Sequence, residues 1–316
     1  MVSLSVIIPV FNEAGSVGPL LASVEEVLDG IPRSSEILVI DDGSTDATGE
    51  ALERHRQGSG RLRVLSFRRN FGQTAAMAAG FHAARGDVVV TMDGDGQNDP
   101  ADIPGLLADL DAGHDIVSGW RRNRRDSFAG RILPSLVANR ILALITGVEL
   151  HDFGCTLKAY RSSFLRRVPL YSDMHRFIPG LGAAVGARVG EREVRHHPRE
   201  AGISKYGIGR TWKLLTDMVV LRLLVRFGNQ PLHYFGLLAI GTFIGSIGMT
   251  FIAFVDTTTM SLVNYSTIVM PALSILAFCL SFYLLMMGLL CELALRSSGR
   301  RDESALAPLY RLESVS

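Results

Sequence analysis

The sequence has almost no net charge and few cysteines. Its 316 residues include 32 Lys and Arg against 31 Asp and Glu, so the overall charge gives no reason to expect nucleic-acid binding. The three cysteines, Cys155, Cys279 and Cys291, are too few and too scattered for a disulfide framework or a zinc site. The apolar run Leu4–Val10 has no basic residue before it and is interrupted by Pro9. It is typical of a strand rather than of a signal peptide, so we expect the N-terminal part in the cytoplasm.

The sequence also lacks the glycine-rich loops that bind phosphate groups. Neither the G-x-G-x-x-G pattern nor the Walker lysine motif occurs. Their absence argues against a dinucleotide-dependent dehydrogenase and against a P-loop kinase. A bound nucleotide diphosphate would have to be held by a metal ion and by basic side chains instead.

Short β-branched runs alternate with helical patterns between residues 3 and 118. The predicted strands are Leu4–Val10, Glu36–Ile40, Leu62–Phe67, Val88–Met92 and Asp115–Ser118. The predicted helices are Val17–Leu28, Ala47–Arg56, Thr74–Ala84 and Ile103–Leu110. Repeated strand–helix units indicate an α/β domain with a mostly parallel sheet covered on both faces. In such sheets ligands bind at the carboxyl ends of the strands.

Two long apolar segments lie in the last hundred residues. Leu232–Val255 and Ile268–Leu290 contain no Asp, Glu, Lys or Arg, and each exceeds the roughly 20 residues needed to cross a bilayer. A buried core helix is the alternative for each segment. Basic residues flank the pair, whereas the loop 256–267 has none; they are Arg222, Arg226, Arg296, Arg300 and Arg301. The positive-inside rule therefore predicts that both termini face the cytoplasm.

The segment Arg210–Phe227 is amphipathic, but its polar face changes side near residues 218–221. We interpret it as two short helices in the membrane interface, with one helix buried inside the domain as the alternative. The predicted boundaries are 1–209 for the sheet domain (halves 1–118 and 119–209), 210–230 for the interfacial helices, 232–255 and 268–292 for the spans, and 296–316 for a cytoplasmic tail.

Two carboxylates and an amide follow the fourth predicted strand. Residues i and i+2 of an extended segment point the same way, so Asp93 and Asp95 can face one hard cation, with the amide of Gln97 nearby. Mg²⁺ or Mn²⁺ needs few protein oxygens when substrate phosphates supply the rest. Such an ion would neutralise charge on a diphosphate leaving group. Asp99 followed by Pro100 instead predicts a helix N-cap.

The first two predicted strands end in polar residues at the same edge of the sheet. The first ends in Pro9–Glu13 and the second in Asp41–Asp46. Asp41 and Asp42 lie where a base or a ribose could be bound. Asp46 is better explained as a helix cap.

Taken together, these segments resemble the family 2 glycosyltransferases with the GT-A fold, and most of all the polyprenyl- and dolichyl-phosphate sugar transferases. The matching residues are Pro9–Glu13, Asp41–Ser44, Asp93–Gln97, Asp152–Cys155 and Arg199–Tyr206. The resemblance covers about residues 3–230. It implies a Rossmann-like, mostly parallel GT-A domain followed by amphipathic juxtamembrane helices and two transmembrane helices.

The resemblance also implies roles for individual residues. The nucleotide sugar would be bound by Pro9, Phe11, Glu13, Asp41, Asp42, Asp93 and Gly94, and by Arg199 and Lys205 on a mobile loop. A metal ion would be bound by Asp93, Asp95 and Gln97. Asp95 and Asp152 would be catalytic. Phe11 stands where many relatives have tyrosine, so a hydroxyl contact is lost while the ring can still stack.

A basic cluster between Arg121 and Arg131 has three interpretations: a solvated surface, a nucleic-acid contact or an acceptor site. The resemblance favours the last, because Arg121, Arg131 and Ser135 match positions that bind the phosphate of a lipid acceptor. Guanidinium groups suit a phosphate held in this way. For Asp152 two interpretations stay open, a base or acceptor-orienting group, which the resemblance implies, and a local hydrogen-bonding group. Cys155 is better explained by packing, since no partner base is evident.

The function implied is inverting transfer of a sugar, with glucose or mannose first, from a UDP- or GDP-sugar to a polyprenyl phosphate. The expected cofactor is Mg²⁺ or Mn²⁺, and the expected location is the cytoplasmic face of the inner membrane. A homo-oligomer such as a tetramer is expected, and no nucleic-acid partner. The alternatives are a processive polysaccharide synthase, which would need a Gln-x-x-Arg-Trp motif and more spans, and a non-catalytic scaffold that binds nucleotide sugar.

Overall fold

The computed structural model describes residues 2–122, 133–165, 174–184, 186–198, 222, 231–259 and 265–310. The chain forms two compact units, Met1–Val225 and Arg226–Ser316. Within the predicted interfacial segment 210–230, the structure describes Arg222, which is exposed. The next helix begins just after this segment, at Pro231. The rest of that segment lies outside the described residues.

The first unit is built on a seven-stranded sheet. Its strands are β1 (Leu4–Val10), β2 (Ser35–Asp41), β3 (Leu62–Ser66), β4 (Val88–Thr91), β5 (Ile116–Trp120), β6 (Lys158–Arg161) and β7 (Val189–Glu193). Its helices are α1 (Val17–Asp29), α2 (Thr48–Gly58), α3 (Gln73–Ala83), α4 (Ile103–Asp111), α5 (Leu133–Thr146), α6 (Ser162–Leu165) and α7 (Ile178–Ala184). Short 3₁₀ turns cover Pro100–Asp102 and Met174–Phe177. The five strands and four helices predicted from the sequence are present, with ends that differ by one or two residues.

The strand order is β3-β2-β1-β4-β6-β5-β7. Strand β6 runs antiparallel to both β4 and β5, and the other pairs are parallel. The mostly parallel sheet is therefore confirmed. Strands β6 and β7 were not predicted, because they are short and the sequences KAYR and VGERE show no clear alternation of apolar and polar residues.

Separate apolar layers cover the two faces of the sheet. Alternate residues of β1 point to opposite faces, so Val6 and Ile8 enter one cluster and Ile7 the other. Helices α1 and α4 cover the first face and α3 the second. Gly80 allows α3 to lie close to the sheet, because a Cβ there would come within 2.6 Å of Ile7 Cγ2. This packing fixes the first residue of α3, Gln73, near the carboxyl edge of the strands.

The second unit contains two long helices, α8 (Pro231–Thr259) and α9 (Tyr265–Tyr310). Within them, Pro231–Val255 and Val269–Ala294 are long and apolar enough to cross a membrane, and 17% of each apolar stretch is buried. A core helix of a soluble protein would be largely buried, so this exposure favours membrane spans over the core-helix alternative. Helix α9 continues past residue 296 into the predicted tail.

Small and polar residues join α8 to α9. Ser274 Oγ donates to the carbonyl oxygen of Ser246 at 2.9 Å, and Ser281 Oγ donates to that of Ala239 at 2.8 Å. The later residue of α9, Ser281, contacts the earlier residue of α8, Ala239, so the two helices are antiparallel. Close approach through small side chains and interhelical hydrogen bonds is typical of helix pairs in membranes.

Candidate active site

Three parallel strands bring the predicted motifs to one edge of the sheet. Strand β1 lies between β2 and β4, with Val10 opposite Asp41 and Ile7 opposite Thr91. The segments that follow these strands therefore leave the sheet side by side. Ser16 joins two of them, because its hydroxyl donates to Glu13 Oε2 at 2.7 Å and lies 3.1 Å from the carbonyl oxygen of Gly94.

The loop after β1 is held against the loop after β2. Asn12 N donates to Ser44 Oγ at 2.9 Å, and Thr45 N donates to Asn12 Oδ1 at 2.8 Å. Among the described residues, Asn12 is the one non-glycine residue with a positive φ, at 57°. A left-handed backbone at such a residue has a cost, which these two hydrogen bonds offset. Pro9, Phe11 and Glu13 are thereby held at the carboxyl edge, as the sequence predicted.

The two aspartates that end β2 have different local roles. Asp41 Oδ1 accepts from Ser44 N at 2.9 Å, which closes the turn after the strand. The two oxygens of Asp42 accept from Phe71 N at 2.7 Å and from Gly72 N at 2.9 Å. Asp42 therefore fixes the loop between β3 and α3. A nucleotide contact by either aspartate stays a prediction.

Asp46 and Asp99 both act at helix starts. Asp46 Oδ1 accepts from Thr48 N at 3.0 Å, at the first residue of α2. Asp46 lies one residue before the N-cap residue and also accepts from Ala14 N at 3.3 Å, so it links the helix to the β1 loop. Asp99 Oδ1 accepts from Ala101 N at 2.9 Å, which confirms the predicted N-cap.

Gly43 is the point at which the β2 loop tolerates no side chain. Its φ is +71°, and a Cβ would lie 2.4 Å from the carbonyl carbon of Arg69. We expect Gly43→Ala to lose about 1–3 kcal/mol of stability from backbone strain alone. If the loop that carries Asp42 binds a nucleotide, as the sequence predicts, the same change should weaken that binding, because the loop must shift. Thermal unfolding with and without a uridine or guanosine diphosphate measures both effects.

The matched control is Gly49→Ala. A Cβ at Gly49 meets nothing within 4 Å, and alanine is the better helix former. The control should be at least as stable as the parent protein. Equal stability of the two variants would show that the Gly43 contact with the β3–α3 loop does not constrain the site.

The Asp93–Gln97 motif is organised by hydrogen bonds from three directions. Asp93 Oδ1 accepts from Gln73 Nε2 at 2.7 Å, and Asp93 N donates to Asn98 Oδ1 at 3.2 Å. Asp95 Oδ1 accepts from Gln97 N at 3.1 Å. Burial raises the pKa of Asp93, and the neighbouring charge of Asp95 raises it further. A carboxylate whose charge is disfavoured by a second carboxylate beside it suits a divalent cation bound between the two.

The Asp93–Gln97 motif offers few side chains that could bind a metal ion. Within the described part of the chain, no group of three or more His, Cys, Asp and Glu side chains could hold a metal ion by itself. This fits a cation held by the two carboxylates, with substrate phosphate oxygens as further ligands. Gln97 connects this motif to the segment after β7, because its carbonyl oxygen accepts from His197 N at 2.9 Å. That segment leads to Arg199 and Lys205, which lie outside the described residues.

Arg121 and Asp152 form a buried ion pair after β5. Arg121 Nε donates to Asp152 Oδ2 at 2.8 Å, and Nη2 lies 3.2 Å from Oδ1. Asp152 is 2% exposed and also accepts from Gly154 N at 3.0 Å. Burial opposes the charge of Arg121, but the hydrogen bonds and charge of Asp152 raise its pKa above the usual value. The structure thus shows the local hydrogen bonding that one interpretation of Asp152 predicted.

Other predicted acceptor residues are less fully described. Arg131 lies outside the described residues, and Ser135 lies on α5, whose backbone is described at that point. Arg122 is exposed and pairs with Glu193 at 3.4 Å. The side chain of Cys155 is buried, which raises the pKa of its thiol to about 11. This agrees with a packing role.

Sequence reasoning missed three polar residues near the motif. Gln73 contacts Asp93 directly. Arg176, on the second 3₁₀ turn, lowers the pKa of Asp93 through its charge, after the larger, opposing effects of burial and Asp95. Lys158 is buried on β6. The sequence contains one local indication of this residue, a lysine between the apolar residues Leu157 and Ala159. Lysine is seldom buried, so its presence in an apolar run points to a special role.

A mostly parallel sheet whose carboxyl edge carries two neighbouring carboxylates, Asp93 and Asp95, in a sequence with no glycine-rich phosphate loop, is the arrangement of a GT-A glycosyltransferase. The family model described as "Glycosyl transferase family 2" matches residues 5–168. The chain belongs to this family and is a glycosyltransferase, as its sequence motifs predicted.

Two relatives are similar over most of the chain. The dodecaprenyl-phosphate galacturonate synthase of Rhizobium johnstonii is 42% identical over 95% of this chain and 90% of its own. The undecaprenyl-phosphate 4-deoxy-4-formamido-L-arabinose transferase of Edwardsiella ictaluri is 38% identical over 72% of this chain and 71% of its own. Both are named as polyprenyl-phosphate sugar transferases, the branch that the motifs resemble.

Solved structures share the fold. The glucosyl-3-phosphoglycerate synthase of Mycobacterium tuberculosis, in complex with Mn²⁺ and UDP-glucose, has a TM-score of 0.53 and 19% sequence identity. The similarity covers 71% of this chain and 78% of that one. It confirms the GT-A fold.

Proposed function

We propose that this enzyme transfers a sugar from a UDP-sugar to a polyprenyl phosphate. One observation carries the proposal: β4 and β5 run in the same direction on either side of β6, so the acidic pair after β4 and the Arg121–Asp152 ion pair after β5 lie at the same edge of the sheet. In agreement with this placement, the charge of Arg121 lowers the pKa of Asp93. The acidic side suits a metal-bound diphosphate that leaves, and the basic side suits a phosphate that attacks. The two apolar helices of the same chain suit an acceptor with a lipid tail.

Asp93 and Asp95 would hold Mg²⁺ or Mn²⁺, with Gln97 beside them. When bound, the ion stabilises the negative charge that develops on the leaving diphosphate. The side chain of Gln73 fixes the orientation of the Asp93 carboxylate. The loops after β1 and β2 would bind the nucleoside, with Arg199 and Lys205 at its diphosphate.

The reaction we propose is a direct, inverting displacement. An oxygen of the acceptor phosphate forms a bond to the anomeric carbon while the bond from that carbon to the diphosphate oxygen breaks. A phosphate monoester has its second pKa near ~6, so it is largely dianionic at neutral pH and needs no general base. Asp152 is then free to orient Arg121, which with Arg131 and Ser135 would hold the acceptor phosphate. Catalysis rests on positioning and on stabilisation of the leaving group.

For the sugar we propose galacturonate. The sequence motifs alone put glucose and mannose first, but the relative that covers 95% of the chain is named for galacturonate. The positive charge of Arg176 near Asp93 would suit the extra carboxylate of a uronic acid.

The proposed location is the cytoplasmic face of the inner membrane, with both termini cytoplasmic. Support comes from the basic residues that flank the two apolar helices and from the absence of Lys and Arg in the loop between them. Assembly into a homo-oligomer through these helices is part of the same proposal. A crosslinking experiment in native membranes tests it.

Label transfer into organic-extractable lipid tests the proposed reaction. The purified protein receives polyprenyl phosphate and one labelled donor at a time, with Mg²⁺, with Mn²⁺ or with EDTA. The donors are UDP-galacturonate, UDP-4-deoxy-4-formamido-L-arabinose, UDP-glucose and GDP-mannose. We expect metal-dependent label in the lipid phase from UDP-galacturonate.

Each other outcome has a defined meaning. Lipid label from another donor would keep the reaction and replace the sugar. Label in an aqueous polymer would indicate a processive synthase. Donor binding without transfer to any acceptor would indicate a scaffold and would contradict the proposed reaction.

A further inference from the structure

Lys158 is a buried cation in the middle of the sheet. Its side chain lies on β6 between Thr91 of β4 and Ser118 of β5, and the residue is 2% exposed. Its ammonium group donates to the carbonyl oxygen of Phe153 at 3.0 Å. Lysine is almost never fully buried unless it is paired. The described hydrogen bond to a neutral carbonyl recovers only part of the cost of removing an ammonium group from water.

A chain of hydrogen bonds leads from Lys158 to the proposed acceptor site. The Phe153 carbonyl belongs to the turn Asp152–Cys155, which is closed by the bond from Gly154 N to Asp152 Oδ1. Asp152 in turn binds the Arg121 guanidinium through two nitrogens. The ammonium group therefore stabilises the turn that orients Arg121, through its hydrogen bond to the Phe153 carbonyl oxygen.

The surroundings of Lys158 bring the pKa of its ammonium group close to neutral pH. Burial lowers the pKa of Lys158 to about 8. The charge of Asp152 opposes this effect, as does Cys155, whereas Arg121 and Arg176 add to it. The Cys155 thiol has a pKa of about 11 and is neutral near pH 8. The strand neighbours Thr91 and Ser118 do not titrate.

We propose that Lys158 is a positioning residue for the acceptor phosphate, which it serves by holding the Asp152–Cys155 turn and by adding a buried positive charge beneath Arg121. This inference rests on the proposed function, because it takes Arg121 as an acceptor contact. A buried charge that weakens the fold is expected where it serves a site. The ammonium form is the active one.

The pH dependence follows from this assignment. The ammonium form predominates below its pKa and disappears as the pH rises through it. We expect kcat/KM for polyprenyl phosphate to fall above about pH 8, whereas the KM for the donor changes little. The parent enzyme alone tests this point. A flat profile up to about pH 9.5 would overturn the proposal.

The variant test is Lys158→Met, which keeps the length of the side chain and removes its charge. At neutral pH we expect the KM for polyprenyl phosphate to rise by about tenfold, with the donor KM unchanged. The alkaline fall should be absent in this variant. Its thermal midpoint should change little, because removal of the buried charge offsets loss of the hydrogen bond to the Phe153 carbonyl oxygen.

The matched control is Arg161→Met on the same strand. Arg161 also donates to a carbonyl, that of Leu110 at 2.9 Å, but it is partly exposed and pairs with Asp115. This variant should keep the parent acceptor KM and the alkaline fall. Lys158→Met could instead lower the thermal midpoint and raise the KM values for donor and acceptor equally. That result would show that Lys158 has only a structural role. If the parent enzyme transfers sugar to no polyprenyl phosphate, the proposed function fails first, whatever Lys158→Met does.

Discussion

Asp95→Asn is expected to reduce turnover on the order of 10³-fold while the protein stays folded. The asparagine keeps the shape of the side chain and can still accept the hydrogen bond from Gln97 N. It removes one of the two charges that would bind the cation, so the leaving diphosphate loses its stabilisation. Lipid-label transfer at saturating metal measures turnover, and circular dichroism with thermal unfolding measures the fold.

Asp109→Asn is the matched control for this experiment. Asp109 also has a charged-group partner, an ion pair with Arg192 at 2.8 Å, but it lies on α4, outside the acidic motif. Exposed ion pairs contribute about 0–1 kcal/mol, so activity and stability should change little. Full, metal-dependent activity in Asp95→Asn would remove Asp95 from the metal site. Loss of activity in both variants would point to a general effect of the purification.

The second large effect is expected from Arg121→Met. Removing one partner of a buried ion pair leaves the other charge uncompensated, which destabilises by about 3–5 kcal/mol. Here Asp152 would be that charge, since its side chain is 3% exposed. The variant should also lose use of polyprenyl phosphate, because the acceptor phosphate would lose its proposed guanidinium contact. Donor binding, for which we propose the loops after β1, β2 and β4, should be affected far less.

A double variant separates the two consequences. Arg121→Met combined with Asp152→Asn removes both charges, so much of the lost stability should return. Use of the acceptor should stay low, because the guanidinium is still missing. Recovery of acceptor use together with stability would show that Arg121 acts through the fold and does not contact the substrate. Thermal unfolding and separate KM values for the two substrates provide the comparison.

Arg63→Met controls for the loss of a buried pair elsewhere in the sheet. Arg63 Nη1 lies 2.6 Å from Glu36 Oε2, and Glu36 is buried at the amino end of the strands. This variant should be less stable than the parent enzyme and should show no selective change in the acceptor KM. A selective change there would mean that acceptor use responds to stability in general.

Local sequence determined much of the fold. The first five strands and four helices follow from short apolar runs and helical periodicity, both of which depend on neighbouring residues. The two apolar helices follow from length and composition, because about 20 apolar residues suffice for a span. Strands β6 and β7 could not be predicted in this way, because they are held in the sheet by pairing with strands distant in sequence, β6 with β4 and β5 and β7 with β5.

In the candidate site, too, local sequence determined some features and tertiary structure determined others. The sequence by itself determined that Asp41, Asp93 and Asp95 would reach one edge, because the carboxyl ends of parallel strands meet there. Tertiary structure decided what each side chain does with its hydrogen bonds. Asp42 binds amides 29 and 30 residues away, and Asp152 binds a guanidinium 31 residues away. A carboxylate takes whichever donors packing brings to it, and no local pattern of residues specifies those partners.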